Sequence, residues 1–394
     1  MPAATLPLSA AATLPDDAYA GALLARIWNP DAGGPSPAAV REDGVYDVSA
    51  DFATAADLCE QPDPAAALAA ADGRRVGSLE ELLAGSAARP ETADGLRFLA
   101  PVDLQPVKAA GVTFAVSMVE RLIEERARGN PEAAAEIRTE LGGVLGGDLR
   151  ALEPGSAQAA EVKRLLVERG EWSQYLEVGI GPDAEIFTKA LPLSSVGPCS
   201  RAGVLRESQW NNPEPEVGLV VSAAGTVVGA TLANDINLRD YEGRSALLLP
   251  KAKDNNASCV LGPFVRLFDA DFGLDDVRSS TVRLKVSGPE GYELSGESDL
   301  GEISRDPADL VRQLGDAHQY PDGVVLLLGT MFAPVSDRDV PGGGFTHRTG
   351  DVVRISAPRL GTLAHEIAYT QDCAPWTFGV RALLSDLVRR GLPV

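Results

Sequence analysis

Residues 211–264 read NNPEPEVGLVVSAAGTVVGATLANDINLRDYEGRSALLLPKAKDNNASCVLGPF. Two apolar runs, Val217 to Val221 and Val227 to Leu232, have the length and β-branched content of strands. Glu214 and Glu216 open the first run. Successive strand residues face opposite sides, so these two carboxylates project together, about 6–7 Å apart. They repel unless a cation sits between them. Asp235 closes the second run and adds a third hard oxygen ligand, with no Cys or His alongside. Such a set suits magnesium, with manganese or calcium possible, better than zinc. The stretch reads as a carboxylate metal site followed by a lysine, Lys253; its competing reading is a solvated strand end.

Outward from this stretch, short strand patterns recur at Ile186 to Lys189, Val260 to Leu267, Val282 to Val286 and Val324 to Leu328, parted by Gly, Pro, Asn and Asp. They predict an α+β, β-rich body, either a sandwich or a folded-over sheet or barrel. Upstream, residues 1–98 read as a small N-terminal α+β domain, its first 20 residues a loose arm and residues 64–71 and 78–83 helical. Prolines 101 and 106 mark the change to a second domain, 99–394. Within it the apolar spacing predicts a helix over 115–128, with Ser117 and Glu120 on one face. A helical insertion spans about 129–180, with helices near 131–141 and 156–169. Residues 335–349 read as a mobile loop with His347 solvated, and 375–391 as a helix that packs at an interface, in a homodimer or homotetramer.

The 394 residues carry a formal charge of −21, with 45% hydrophobic and 23% charged residues. That composition is globular. The charge argues against sequence-independent nucleic-acid binding and against an anionic membrane as partner. No run of about 18 apolar residues is present and the first 19 residues do not resemble a leader, so a cytoplasmic protein is expected. Four scattered cysteines fit buried, reduced thiols. Only six of the 35 basic residues are lysine, which draws attention to each one.

Over roughly residues 100 to 370 the chain resembles the fumarylacetoacetate hydrolase superfamily. Gly111-Val112-Thr113-Phe114 with Glu120 resembles the family's Gly-x-Asn-Tyr...His-x-x-Glu motif, and Phe187-Thr188-Lys189 its Phe-x-Lys-Pro. Glu214-Pro215-Glu216 is similar to the metal-binding Glu-x-Glu, and Asn234-Asp235 through Arg239-Asp240 to Asn-Asp-x-Ser-x-Arg-Asp. Lys253, nine residues before Gly262, stands where the family keeps its active-site lysine. Gly329-Thr330, Thr349 to Val353 and Leu360 to Leu363 resemble its closing motifs. The resemblance implies a β-rich fold in which Glu214, Glu216 and Asp235 hold magnesium, and a 2-oxo acid chelated by the metal. It also implies Thr330 on the substrate carboxylate and Lys253 over the reacting carbons. Lys189, Arg239 and Asp240 are further substrate-binding candidates; for Arg239 and Asp240 a structural ion pair is the competing reading.

The departures choose among members. Ser117 stands where hydrolases carry the histidine that activates water, and Glu242 where glutamine is common. Histidine is the usual base for water near neutral pH, so its loss disfavours hydrolysis. With the long N-terminal segment and the Gly329 to Pro334 variant, the chain resembles the 2-keto-3-deoxy-sugar-acid dehydratase branch. The catalytic candidates are then Lys253 or Glu242 as base at C3 and Glu120, positioned by Ser117, as acid at the C4 hydroxyl. The product would be 2,5-dioxopentanoate. The alternatives are a hydrolase of acylpyruvates or 2,4-diketo-3-deoxy sugar acids, and a non-catalytic 2-oxo-acid-binding relative.

Overall fold

The two apolar runs of the opening stretch form the middle of an eleven-stranded sheet in a computed structural model, which describes residues 6, 9–88, 95–128, 130, 132–134, 136–137, 152–168, 170, 172–332, 334, 337–339 and 344–394. In chain order the strands are β1 Leu23–Asn29, β2 Gly34–Arg41, β3 Gly44–Asp47, β4 Arg74–Gly77, β5 Arg97–Phe98, β6 Val107–Gly111, β7 Glu185–Ala190, β8 Arg201–Val204 and β9 Asn211–Asn212. There follow β10 Pro215–Val221, β11 Val227–Asp235, β12 Asn237–Leu238, β13 Cys259–Leu267, β14 Thr281–Ser287, β15 Glu293–Asp299, β16 Val324–Leu327, β17 Val352–Ala357 and β18 Gly361–Tyr369. The large sheet runs β4-β3-β2-β1-β13-β11-β10-β16-β6-β7, with β5 beside β1. A second sheet runs β15-β14-β17-β18-β8, and β9 pairs with β12.

Every residue of β10 and β13 is buried, because both faces of the large sheet are covered. Val217, Leu219 and Val221 pack with Val282, Leu284 and Ile355 of the second sheet. Val220, Ala233 and Leu261 face the other way, in a core shared with Leu58 and Leu68 of the first helices. The architecture is α+β and β-rich, as the strand spacing predicts. No closed barrel forms among the described residues: β4 and β7 end the large sheet without pairing. Strand spacing alone does not separate an open sheet from a closed one, since closure depends on tilt and stagger.

The first 98 residues share the large sheet through Leu23 opposite Arg266 and Leu24 opposite Val265, so one ladder crosses the proposed division at residues 98 and 99. The expected loose arm is corrected for residues 10–20. Thr13 is fully buried, and both oxygens of Asp17 accept from the buried Arg266 guanidinium at 2.6 Å. Arg266, with Arg359 Nε 3.4 Å from the same carboxylate, anchors what composition presents as featureless chain. The predicted helix at 131–141 lies largely outside the described residues, whereas Ala157–Glu168 is helical.

The helix Ala115–Ala127 carries Ser117 and Glu120. Its Met118 packs with Tyr175, Leu176 and Ile180, and its Leu122 and Ile123 pack with Trp210. The supporting helix Gln174–Ile180 is held at its carbonyl end by buried Arg305, which donates to the Val178, Gly181 and Asp183 carbonyls. A cation there satisfies orphan carbonyls and complements the helix dipole. Arg305→Ala is expected to cost about 2–3 kcal/mol in denaturant unfolding. A loss below ~0.5 kcal/mol, the size of an ordinary surface substitution, would show that the clamp contributes little.

Candidate active site

Antiparallel register assembles the acids. Glu216 lies opposite Ala233, and the Asp235 amide donates to the Glu214 carbonyl at 3.0 Å, so the end of β11 comes beside the start of β10. Asn234 fastens this corner by accepting from the Glu214 amide at 2.9 Å, and its own Nδ2 contacts His365 Nε2 at 3.0 Å. One carboxylate oxygen from each of Glu214, Glu216 and Asp235 lies within 4.8 Å of the others, and all three residues are buried. Glu216 is further aimed by the Gly329 amide, 2.8 Å from its Oε2. Gly329 has φ +85°, and a Cβ there would come within 2.2 Å of Thr113 Oγ1, so only glycine presents this donor.

Two lysines serve the cluster. Lys253 Nζ bonds Glu214 Oε2 and lies 3.0 Å from Asp235 Oδ2. Lys189 Nζ lies 2.8 Å from Asp235 Oδ1 and donates to the Ile236 carbonyl at 2.9 Å and the Lys253 carbonyl at 2.5 Å. Lys189, a substrate-binding candidate in the sequence, thus directs its three donors at Asp235 and at the loop that bears Lys253; its geometry is that of a positioning residue.

Burial, then the charges of Asp235 and Glu214, push the Glu216 carboxyl well above the usual range. Burial also pushes Asp235 up, but Lys189 and Lys253 outweigh it and hold that carboxyl below its ordinary value. For Lys253 burial favours the neutral amine, yet Asp235, Glu214 and Glu242 overcome it and the ammonium is held above its ordinary value. Burial and two neighbouring carboxylates make ionisation of Glu216 costly, so the cluster favours additional positive charge. An all-oxygen donor set of this kind fits a hard divalent cation.

The remaining candidates surround this centre. Glu242 accepts from Asn237 Nδ2 at 2.6 Å and pairs with Arg121 at 2.5 Å. Arg239 is buried, lies 4.3 Å over the Trp210 ring and approaches Glu120 at 3.5 Å. Asp240 turns to Ser208 Oγ and the Gln209 amide, so the expected partner for Arg239 is replaced by Glu120 and Trp210. Ser117 Oγ accepts from the Phe114 amide at 3.3 Å and donates to the Phe114 carbonyl at 2.8 Å, at the start of its own helix. Thr330 Oγ1 accepts from the Phe332 amide at 3.1 Å. His347 is corrected: it is buried, not solvated, with Nδ1 3.0 Å from Asp351. Phe345 and His347 turn inward, which polar composition conceals.

Two residues were missed by sequence reasoning. Arg121 contacts Glu214 at 2.8 Å as well as Glu242. Glu185 opens β7, opposite Gly111; a Cβ at Gly111 would lie 2.2 Å from Glu185 Oε2. Burial raises the Glu185 pKa, with Arg121 and Lys253 opposing, and Glu214 and Asp235 adding to it. A signal existed: alternation places Glu185, Phe187 and Lys189 on one face, and Lys253 Nζ stands 5.5 Å over Phe187.

Residues 212–368 match the family Fumarylacetoacetate (FAA) hydrolase C-terminal. The chain is 28% identical over 179 residues to a 2-dehydro-3-deoxy-D-arabinonate dehydratase of Saccharolobus solfataricus, covering 45% of this chain and 57% of the relative. It is 29% identical over 193 residues to a probable 2-keto-3-deoxyxylonate dehydratase of Haloferax volcanii, covering 49% and 63%. The matches thus span about 60% of these relatives' length. Two solved structures share the fold over 88% of this chain and 99% of theirs. They are 2-keto-3-deoxy-D-arabinonate dehydratase in its apo form (TM-score 0.61, 20% identity) and complexed with magnesium and 2,5-dioxopentanoate (0.60, 20%).

Proposed function

We propose that this protein is a magnesium-dependent hydro-lyase that converts a 2-keto-3-deoxy-D-pentonate, derived from arabinonate or xylonate, into 2,5-dioxopentanoate. The observation that carries the reading is the buried triad of Glu214, Glu216 and Asp235 with Lys253 bonded to two of its members. The relatives' names and the ligands of the neighbouring structure support the same substrate and metal. When bound to the triad, magnesium would hold the substrate's carboxylate and keto oxygens and acidify the C3 hydrogens.

The chain's own groups do the rest. Lys253 takes a C3 proton; its ammonium is favoured by the same carboxylates that a divalent cation would neutralise, so loading the site eases its deprotonation. Glu242, with one oxygen shared by Asn237 and Arg121, is placed to hold Arg121 and is the weaker candidate for base. The C4 hydroxyl leaves as water after protonation by Glu120, next to Arg239, or by Glu185, whose burial favours the protonated acid. The enone alcohol then loses a proton from C5 and gains one at C3, giving a C4–C5 enol that takes a proton at C4 and releases its hydroxyl proton to become the aldehyde. Thr330 is the proposed contact for the substrate carboxylate, Ser117 sets the start of the helix bearing Glu120, and Lys189 fixes Asp235.

Hydrolysis is disfavoured by where the histidines are. His347 is locked to Asp351, His365 to Asn234, and His318 is exposed, with Nδ1 2.8 Å from the Gln319 carbonyl. Burial and the neighbouring His347 push His365 down to about 3, which removes it as a base that alternates between charge states near neutrality. Incubation with magnesium and 2-keto-3-deoxy-D-arabinonate or 2-keto-3-deoxy-D-xylonate is expected to yield an aldehyde that a semialdehyde dehydrogenase oxidises. Pyruvate plus a carboxylic acid from an acylpyruvate or a 2,4-diketo-3-deoxy sugar acid would instead establish the hydrolase. Metal-dependent binding of 2-oxo acids without turnover would establish a binding protein.

A further inference from the structure

Both oxygens of Glu214 are already taken by cations of the chain itself. Lys253 holds Oε2, and Arg121 holds Oε1 at 2.8 Å. A divalent cation entering the triad would compete with both of them for the charge of Glu214, even where an oxygen has a lone pair to spare. Lys253 is anchored twice within the triad, to Glu214 and to Asp235. Arg121 joins Glu214 to Glu242 outside the triad, which it meets at 2.5 Å, and Glu242 is steadied by Asn237 at 2.6 Å. Arg121 can therefore loosen its hold on Glu214 and stay beside the site through Glu242. Its side chain is 14% exposed, and its guanidinium remains charged at any working pH.

On this basis we infer that Arg121 is a resident counter-ion that competes with the divalent metal for Glu214 and, once displaced, turns its freed N–H edge to the bound 2-oxo acid. The inference rests on the metal reading of the triad given above. It makes loading of metal and of substrate mutually reinforcing: the metal releases a donor that an anionic substrate can use, and a substrate that engages Arg121 removes the metal's competitor. By linkage the two effects are equal in size. The position also explains why an arginine is tolerated here. Glu214 and Glu242 would otherwise face each other across the site before loading, and a fork that spans both neutralises them together.

The test uses the full chain, Mn²⁺ binding followed by electron paramagnetic resonance, and pyruvate as an unreactive 2-oxo acid. In Arg121→Met, Mn²⁺ alone is expected to bind roughly 5- to 50-fold more tightly than in the parent, and the tightening that pyruvate produces in the parent is expected to shrink by a similar factor. Arg121→Lys, which keeps the charge but cannot span both carboxylates, should show intermediate Mn²⁺ affinity; it also serves if the methionine variant does not fold. Unchanged or weaker Mn²⁺ binding in both variants, or an undiminished pyruvate effect, would overturn the inference. Failure of the metal reading shows itself differently: the parent would then bind Mn²⁺ no better than Glu216→Gln does.

Discussion

Glu216→Gln is expected to abolish metal-dependent turnover while making the metal-free protein more stable. Glu216 is buried beside Asp235 and Glu214, and the Gly329 amide that aims it also binds an amide oxygen. Losing an outer-shell partner of a metal ligand typically costs 10–100-fold in affinity, so losing the ligand itself should cost more than about 100-fold in Mn²⁺ binding. Stability moves the other way. The folded pKa of Glu216 lies above its ordinary 4.5, so its contribution is full below about pH 4.5 and is lost as pH rises through the raised value. Glutamine escapes that loss. Urea unfolding in the presence of chelator should show the variant about 1–3 kcal/mol more stable at pH 8 and the two proteins converging near pH 4.5. Equal stability at pH 8 would mean that the cluster is not short of positive charge.

Removal of Lys253 should act in the opposite sense on stability and the same sense on catalysis. Lys253→Met takes away a proton-transfer group, a loss of roughly 10²–10⁴-fold in turnover. It also leaves Glu214 and Asp235 buried without their shared cation, which costs about 3–5 kcal/mol in the metal-free protein. The depressed pKa of Asp235 contributes stability that is present above 3.8 and lost as pH falls through the folded value. The raised pKa of Lys253 contributes stability that is present below 10.5 and lost above that. The deficit of the variant should therefore hold from about pH 4 to pH 10 and fade outside that window. Added Mn²⁺ should recover much of it, because a cation again stands among the acids. Full turnover in the variant would remove Lys253 from the mechanism.

The parts of this site that could be read from the chain are those set by local geometry. Glu214 and Glu216 share a face because they are two apart in a strand, and Asp235 joins them because the turn between β10 and β11 folds one run back on the other. Lys253 was legible through the family resemblance, whose active-site lysine falls nine residues before Gly262. Glu185 obeyed the same alternation and was passed over because nothing in an isolated strand shows which face meets the site. Arg121 was beyond local reading. It sits 93 positions from Glu214 and 121 from Glu242, and its pairing depends on how the helix Ala115–Ala127 docks.

Other differences have the same origin. Asp17 and Arg266 are 249 residues apart, so nothing near Asp17 announces that residues 10–20 are anchored. His347 lies among glycines and polar residues that read as a solvated loop, yet Asp351, four positions on, and Arg338 form a buried ionic knot around it. Arg239 and Asp240 are adjacent and opposite in charge, but adjacent residues of a short helix point apart, and each found its partner elsewhere.

By itself, then, the sequence determined the β-rich α+β class and the three-carboxylate centre, because strand alternation and short turns act over a few residues, and the family resemblance added the lysine beside it. The tertiary structure alone decided that the sheet stays open among the described residues and that its N-terminal strands join through β13. It also decided that Lys189 braces the site and that Arg121 occupies both Glu214 and Glu242. These are contacts between segments far apart in the chain, and their energies come from burying charge where only a folded protein can supply the partner.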